Sequence, residues 1–401
     1  MTDRAHKDIP TGLTAYLRLR MRPPPRFATS SSYVGQGEPL LLRLPGLSWL
    51  TPCLVALILC AGLALTPARV EAAFRAVELA SLPEESSRVV RAVNDAGEIV
   101  GGGPRGGRQR GLLLLTGGGR RNIDGLPGSD YSTAFGINNL GDVVGSANTA
   151  TGMRAFRSPR GKANIELGPL PNDSGSAAFA INLPGQVVGF SSGPTGVRAV
   201  RWTPAGAIQA LPVLPGCDSS RGLAINARGD AVGVCDTVSG PRAVLWEDGA
   251  VQDLGALPGD RSSEALSINA NGVIVGSSGH PEAQHHAVLW PSGGGAIQDL
   301  DTLPDGKSSR ALAVNTRGEV VGTSETSAGD HAFLWTEQDG MQDLNTLLTL
   351  RSGFVLTQAV AISSRGLIVA IGVDEAKSPE QRHDHDDHEL PLRIFRLDPE
   401  P

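Results

Sequence analysis

The chain has 401 residues, 51 of them Gly and 28 Pro, and carries a formal charge of −6. That length suits one large all-β domain or two ordinary ones, and the Gly and Pro content points to many turns. Only four residues are Lys, and the acidic balance excludes the basic face expected of a nucleic-acid reader.

Residues 1–46 form a basic, Arg- and Pro-rich leader with no clear period. Residues 47–72 begin with the apolar, uncharged run LSWLTPCLVALILCAGLAL (Leu47–Leu65) and end in TPARVEA. Val70 and Ala72 satisfy the small-residue rule for signal-peptide cleavage. The run is also long enough to span a bilayer, so an uncleaved signal anchor is the rival reading. Membrane contact is expected only in that second case. Both readings export the body, residues 73–401, to the periplasm or the extracellular space. Cleavage after Ala72 removes eight basic and four acidic residues and leaves −10, which suits solubility and argues against anionic partners.

The body repeats one unit. AVNDAGEIVG, GINNLGDVVG, AINLPGQVVG, AINARGDAVG, SINANGVIVG, AVNTRGEVVG and the weaker AISSRGLIVA succeed one another. Their markers are Asn94, Asn138, Asn182, Asn226, Asn269, Asn315 and Ser363, spaced 44, 44, 44, 43, 46 and 48 residues apart. A near-constant period of this size signals a propeller or a solenoid.

Each unit reads as four short strands. Strands a and b flank the x-N-x-x-G turn, where Asn, Asp and Gly are expected to supply positive φ. Strand c is of the HAFLW type. Strand d is of the MQDLNTL type and ends at Leu-Pro-Gly or a relative, which stops it. At the ends, FRAVELASLP (Phe74–Pro83) reads as a strand d with nothing before it, and LRIFRLDP (Leu392–Pro399) as a strand c with nothing after it. The N-terminal strand can complete the C-terminal blade and remove the open edges of a linear array. The fold expected is therefore all-β: a seven-bladed β-propeller of about 44-residue four-stranded units.

The unit SSRALAVNTRGEVVGTS…HAFLW…GMQDLNTL (Ser308–Leu347) resembles the HAF-type extracellular repeat of bacterial exported proteins. The resemblance covers the body and not the leader. It implies an exported repeat protein of undefined molecular role, and it brings no catalytic residues.

Several positions stand out. Arg110, Arg154, Arg198, Arg242, His286 and His331 share one place at the start of strand c. Arg does not replace a metal-binding imidazole, so these read as polar groups that satisfy a loop carbonyl. Asp124, Glu166, Gln209, Asp253, Asp299 and Asp343 share a place in strand d. Gln209 argues against shared ionic chemistry, and hydrogen bonds to backbone are the expected role. Trp202, Trp246, Trp290 and Trp335 end strand c, either as an aromatic platform for sugar or as packing between units, and packing is favoured.

In an up-and-down meander the a–b and c–d turns lie on one face, and the b–c and d–a connections on the other. The second face is expected to carry the length variation and the function. Cys217 and Cys235, the only cysteines outside the apolar run, fall there at the two ends of one hairpin and are candidates for a disulfide. The longest insertion, residues 373–391, falls there too and contains HDHDDHE. His383, Asp384, His385, Asp386 and His388 form a candidate site for Zn, Ni or Cu, set against the plainer reading of a solvated acidic loop. No other cofactor is implied.

The function expected is a binding or scaffold module, with a monomeric body presenting one face to a glycan, an envelope component or a protein. The alternatives are a polysaccharide hydrolase or lyase with its site in the axial channel, and weak metal binding at 383–389. The enzyme reading requires carboxylates outside the repeat pattern on channel-facing strands, and strand identity is not legible at this stage.

Overall fold

The structure is a computed structural model that describes residues 73–81, 90–105, 108–280, 284–350, 353–375 and 392–400. The leader, the apolar run and the His383–His388 cluster lie outside the described residues. Among the described residues all regular structure is strand.

The chain opens with β1 (Phe74–Ser81). Blade 1 holds β2 (Val90–Val93), β3 (Ile99–Arg105), β4 (Arg108–Leu114) and β5 (Arg120–Ile123). Blade 2 holds β6 (Ser132–Ile137), β7 (Val143–Thr149), β8 (Gly152–Ser158) and β9 (Ile165–Leu167). Blade 3 holds β10 (Gly175–Ile181), β11 (Val187–Gly193), β12 (Gly196–Trp202) and β13 (Ile208–Ala210). Blade 4 holds β14 (Cys217–Ile225), β15 (Ala231–Thr237), β16 (Gly240–Glu247) and β17 (Ala250–Asp253). Blade 5 holds β18 (Ser262–Ile268), β19 (Ile274–Gly279), β20 (His285–Trp290) and β21 (Gln298–Asp299). Blade 6 holds β22 (Ser309–Val314), β23 (Val320–Thr326), β24 (Gly329–Thr336) and β25 (Gly340–Asp343). Blade 7 holds β26 (Phe354–Ile362), β27 (Ile368–Asp374) and β28 (Arg393–Pro399), and β1 is its fourth strand. The fold is the expected seven-bladed propeller, closed by the N-terminal strand.

The first strand of each blade contacts the first strands of both neighbours, so these seven strands surround the axis. Seven separate apolar cores lie between consecutive blades. One unites Val144, Ala155 and Leu167 of blade 2 with Ala178, Val187, Val200 and Trp202 of blade 3. Another joins Val369 and Ile394 of blade 7 to Val90, Ile99 and Leu112 of blade 1, so the seam is packed like every other interface. The strand-c tryptophans belong to these cores. Trp202 is fully buried and its Nε1 donates to Gly168 O of the preceding blade at 2.9 Å; Trp246 does the same to Pro212 O at 2.7 Å. Each indole removes roughly 150–250 Å² from water, so packing, not a sugar platform, is its role.

The marker asparagines do not supply positive φ. In each a–b turn the glycine three residues later does so, as at Gly97 (φ 76°) and Gly229 (φ 97°). The asparagine acts through its side chain. Asn226 Oδ1 accepts from the backbone N–H of Arg228 and Asp230, both at 3.0 Å, which holds its own turn. Its Nδ2 donates to Asn269 O of the next blade at 3.4 Å. The same bond runs from Asn94 to Asn138 (3.2 Å), Asn138 to Asn182 (3.1 Å), Asn182 to Asn226 (3.0 Å), Asn269 to Asn315 (2.8 Å) and Asn315 to Ser363 (3.4 Å). Ser363 holds its turn by accepting from Leu367 N at 3.1 Å, and the circle closes by Ser364 N donating to Asp95 Oδ1 at 2.9 Å. These asparagines are almost fully buried.

The closing strand has its own clasp. Arg393 of β28 donates to both Glu78 oxygens of β1, with Nε at 3.0 Å, and its Nη1 reaches Asp374 Oδ1 at 2.7 Å. The guanidinium also lies 5.4 Å and 5.2 Å from the ring centres of Phe354 and Phe395. The hydrogen bond from Arg393 holds the Glu78 carboxyl below its ordinary range, against a smaller opposing effect of burial. A lowered carboxylate gives stability that is present above its unfolded-state pKa and is lost as pH falls through the folded-state value. Wild type is therefore expected to lose Tm faster than Glu78→Gln on acidification through the carboxylate range. Parallel acid profiles for the two proteins would show that this clasp carries nothing.

Candidate functional site

The strand-c and strand-d positions meet across the blade. His331 Nδ1 lies 2.8 Å from Asp343 Oδ2, His286 Nδ1 2.9 Å from Asp299 Oδ2, Arg242 Nη2 3.0 Å from Asp253 Oδ2, and Arg154 Nε 3.3 Å from Glu166 Oε1. This corrects the expectation that the acid serves the backbone alone. Asp343 and Asp253 do both, since the second oxygen accepts from Asn345 N at 2.9 Å and Gly255 N at 2.8 Å. The loop-carbonyl expectation is met at Arg110, with Nη1 donating to Ser129 O at 3.2 Å, and at Arg154, whose Nη1 donates to Ser174 O at 2.5 Å while its Nε pairs with Glu166. These pairs lie on the outer strands, repeat from blade to blade, and serve the scaffold.

Cys217 and Cys235 are bonded across β14 and β15, with Cα atoms 5.7 Å apart. Their positions, nine residues before and after the marker, hold Asp173 and Ser191 in blade 3 and Asp260 and Ser278 in blade 5. There the serine hydroxyl donates to the aspartate at 2.6 Å and 2.7 Å, and accepts from Leu170 N and Leu257 N of the preceding blade, both at 2.9 Å. The cysteines thus occupy a structural clasp of the repeat. Among the described residues no group of three His, Cys, Asp or Glu is gathered as a metal site.

The b–c connections vary in length as expected, through the longer ones between Gly279 and His285 in blade 5 and between Asp374 and Arg393 in blade 7. In blades 2, 3, 4 and 6 they are two-residue turns at Ala150–Thr151, Pro194–Thr195, Val238–Ser239 and Ser327–Ala328. A further departure from the repeat among the described residues lies on the axis. In every first strand the pairing register slips at the residue three before the marker. A bulge of this kind re-aims the extra residue. The seven bulge residues, Arg91, Phe135, Phe179, Leu223, Leu266, Leu312 and Val360, all line one axial cavity of about 220 Å³. In blades 2 to 6 the glycine of the VVG run faces this irregularity: a Cβ on Gly189 would lie 1.9 Å from Ala177 O.

Six ring members are apolar, and Arg91 is the only ionisable residue among those that line the cavity. Arg91 lies with its guanidinium carbon 5.6 Å from the centre of the Phe135 ring, within cation–π range. Phe135 meets Phe179 edge-on, at 5.2 Å and 80°. Blades 1 to 3 thus form an aromatic, cationic sector in a ring otherwise of Leu and Val. The a–b turns that rim this mouth present Leu140 and Leu183, each more than half exposed, over blades 2 and 3. Further along the first strands the wall turns polar. Arg221 pairs with Asp236 at 3.2 Å, and Arg310 of blade 6 bonds Glu264 of blade 5.

No protein-family model matches the chain, and no relative is found among curated proteins. Solved structures do resemble it. A streptogramin B lyase matches with a TM-score of 0.51 and 13% identity, over 82% of this chain and 98% of that one. Virginiamycin B lyase from Staphylococcus aureus matches with a TM-score of 0.50 and 13% identity, over 81% and 99%. At that identity the likeness is one of fold.

The clasp position yields a prediction. Replacing both cysteines by alanine is expected to cost about 3 kcal/mol of stability. Cys217→Asp with Cys235→Ser, which rebuilds the clasp of blades 3 and 5, is expected to lose clearly less in urea unfolding. Equal losses, or two reactive thiols in the folded unreduced protein, would refute the assignment.

Proposed function

We propose that this chain is an exported propeller of the HAF type that works as a binding module, receiving its ligand in the axial cavity at the mouth rimmed by the a–b turns. The observation that carries this is the bulge ring. One residue per blade is turned onto the axis, and those seven residues differ between blades in charge and in aromatic character. Rigid strands present the ring, which gives a preformed pocket. Export is supported by the apolar run at Leu47–Leu65 and the small residues Val70 and Ala72.

The bulge side chains are mostly apolar, while much of the surface open to the cavity is polar, so the site offers both kinds of contact to a ligand. The lining supplies an arginine and aromatic faces, which bind and orient. A hydrolase or lyase acting on polysaccharide would instead draw on paired carboxylates.

A thermal-shift screen of small molecules tests the site. Ligands that raise Tm are expected to act equally on wild type and on Val238→Arg, which alters a b–c turn on the opposite face. They are expected to lose their effect on Leu266→Trp, which fills the channel. Ligands that still act on Leu266→Trp but fail on Val238→Arg would place the site on the other face and overturn this reading.

A further inference from the structure

We infer that the axial cavity receives main chain: a short, uncharged peptide stretch in extended form, held by hydrogen bonds to the inner edges of the first strands. This rests on the binding-module reading and names its ligand class.

Each first strand is the terminal strand of its sheet and pairs with a neighbour on one side only. Its other edge faces the axis, because the first strands contact one another around it. Along an extended strand every second residue turns both its N–H and its C=O to one edge. Edge strands at a protein surface are blunted by charge, proline or a covering loop. Here the edges enclose a cavity instead. Much of the surface open to that cavity is polar, while Arg91 and Ser267 are the only lining residues with polar side-chain atoms. Main chain supplies the rest.

Val314 shows how the edge is aimed. Its N–H turns away from its own sheet and donates across blades to Ser267 Oγ at 3.4 Å. The matching pairs in other blades are Val93 with Ala361, Ile137 with Ala92, Ile181 with Gly136 and Ile362 with Ala313, all of which line the cavity. There the partner side chain is Ala or Gly and carries no acceptor. One blade thus supplies a hydroxyl to its neighbour's N–H, and in the others a ligand's carbonyl can take that place.

An extended peptide matches such an edge better than a sugar does. Donor and acceptor alternate along both chains at the same spacing, which is how a peptide adds to a sheet edge. About 220 Å³, the room of roughly seven waters at ~30 Å³ each, suits about two small residues. A charged side chain would give up its water inside the cavity, so the stretch is neutral. The apolar bulge residues, Phe135 and Phe179 among them, border its small side chains. At the mouth Leu140 and Leu183, more than half exposed on adjacent blades, give an apolar third residue a surface to pack on.

Calorimetry on the purified full chain with acetyl-Ala-Ala-Leu-amide tests the inference. The comparison peptide carries N-methyl groups on both alanines, which keeps the side chains and removes two backbone donors. The parent is expected to bind one to one, and the N-methylated peptide about tenfold or more weaker, the scale of two neutral hydrogen bonds. Glucose, polar but without a peptide backbone, is expected to bind more weakly than the parent. Leu266→Trp is expected to abolish binding, with Leu312→Trp as the second filling variant if the first does not fold. If the N-methylated peptide binds as well as its parent, or glucose binds better than either, the main-chain inference fails while the channel site stands. If no peptide binds, the inference fails and the thermal-shift screen decides the channel reading. If the filling variants change the binding of no probe, the channel reading itself fails.

Discussion

The structure depends on one side-chain amide used twice. Each marker asparagine holds its own turn through Oδ1 and bonds the next blade through Nδ2. In blade 7, where serine stands in its place, the Ser363 hydroxyl accepts from Leu367 N to keep the turn, and Ser364 N donating to Asp95 Oδ1 completes the circle. Burial raises the stakes. Asn94 and Asn226 also donate to Glu98 and Asp230, acids that are themselves buried. Removing one amide strands several polar atoms together, and an unsatisfied buried group costs more than a hydrogen bond contributes. The belt ties the innermost strands at one end and so sets the width of the axial opening.

The bulges sit three residues before the belt, which couples the ring to the channel. A regular strand in a propeller offers its two side-chain faces to the neighbouring blades and only its edge to the axis. Slipping the register by one residue breaks that rule at one position per blade. The scaffold can then vary this position without disturbing the seven inter-blade cores. Arg91, Phe135 and Phe179 are such variations. In blades 2 to 6 the strand opposite makes room with the glycine at the end of VVG. The repeat and its departures therefore divide the labour: belt, cores and clasps build the ring, and the bulge residues give it a chemical character.

Much of this was legible in the sequence. The period, the four strands per unit, the closing role of Phe74–Ser81 and the packing of the tryptophans all follow from repeated local patterns. Other features were not, for reasons that are physical. Asn226 was read as a backbone residue because Asn-x-x-Gly is a turn signal, and its second bond spans blades. Arg242 and Asp253 stand eleven residues apart in the sequence, whereas cross-strand register sets them side by side. The channel residues do not stand out along one strand, because a single bulge barely disturbs a period-two pattern. A signal was nonetheless present. Aligning the units on the marker puts Arg, Phe, Phe, Leu, Leu, Leu and Val in one column, and places Cys217 and Cys235 in the columns of Asp173 and Ser191. The His383–His388 cluster, in the longest insertion of the sequence, lies outside the described residues.

Urea unfolding of Asn226→Ser and Asn226→Ala tests the belt most directly. Serine keeps the turn and removes the inter-blade bond, whereas alanine removes both. The account predicts a loss of about 1–2 kcal/mol for serine and about 3 kcal/mol or more for alanine. Asn226→Ser with wild-type stability would mean that the belt is a geometric coincidence of the turns and that the blades are joined by their cores alone.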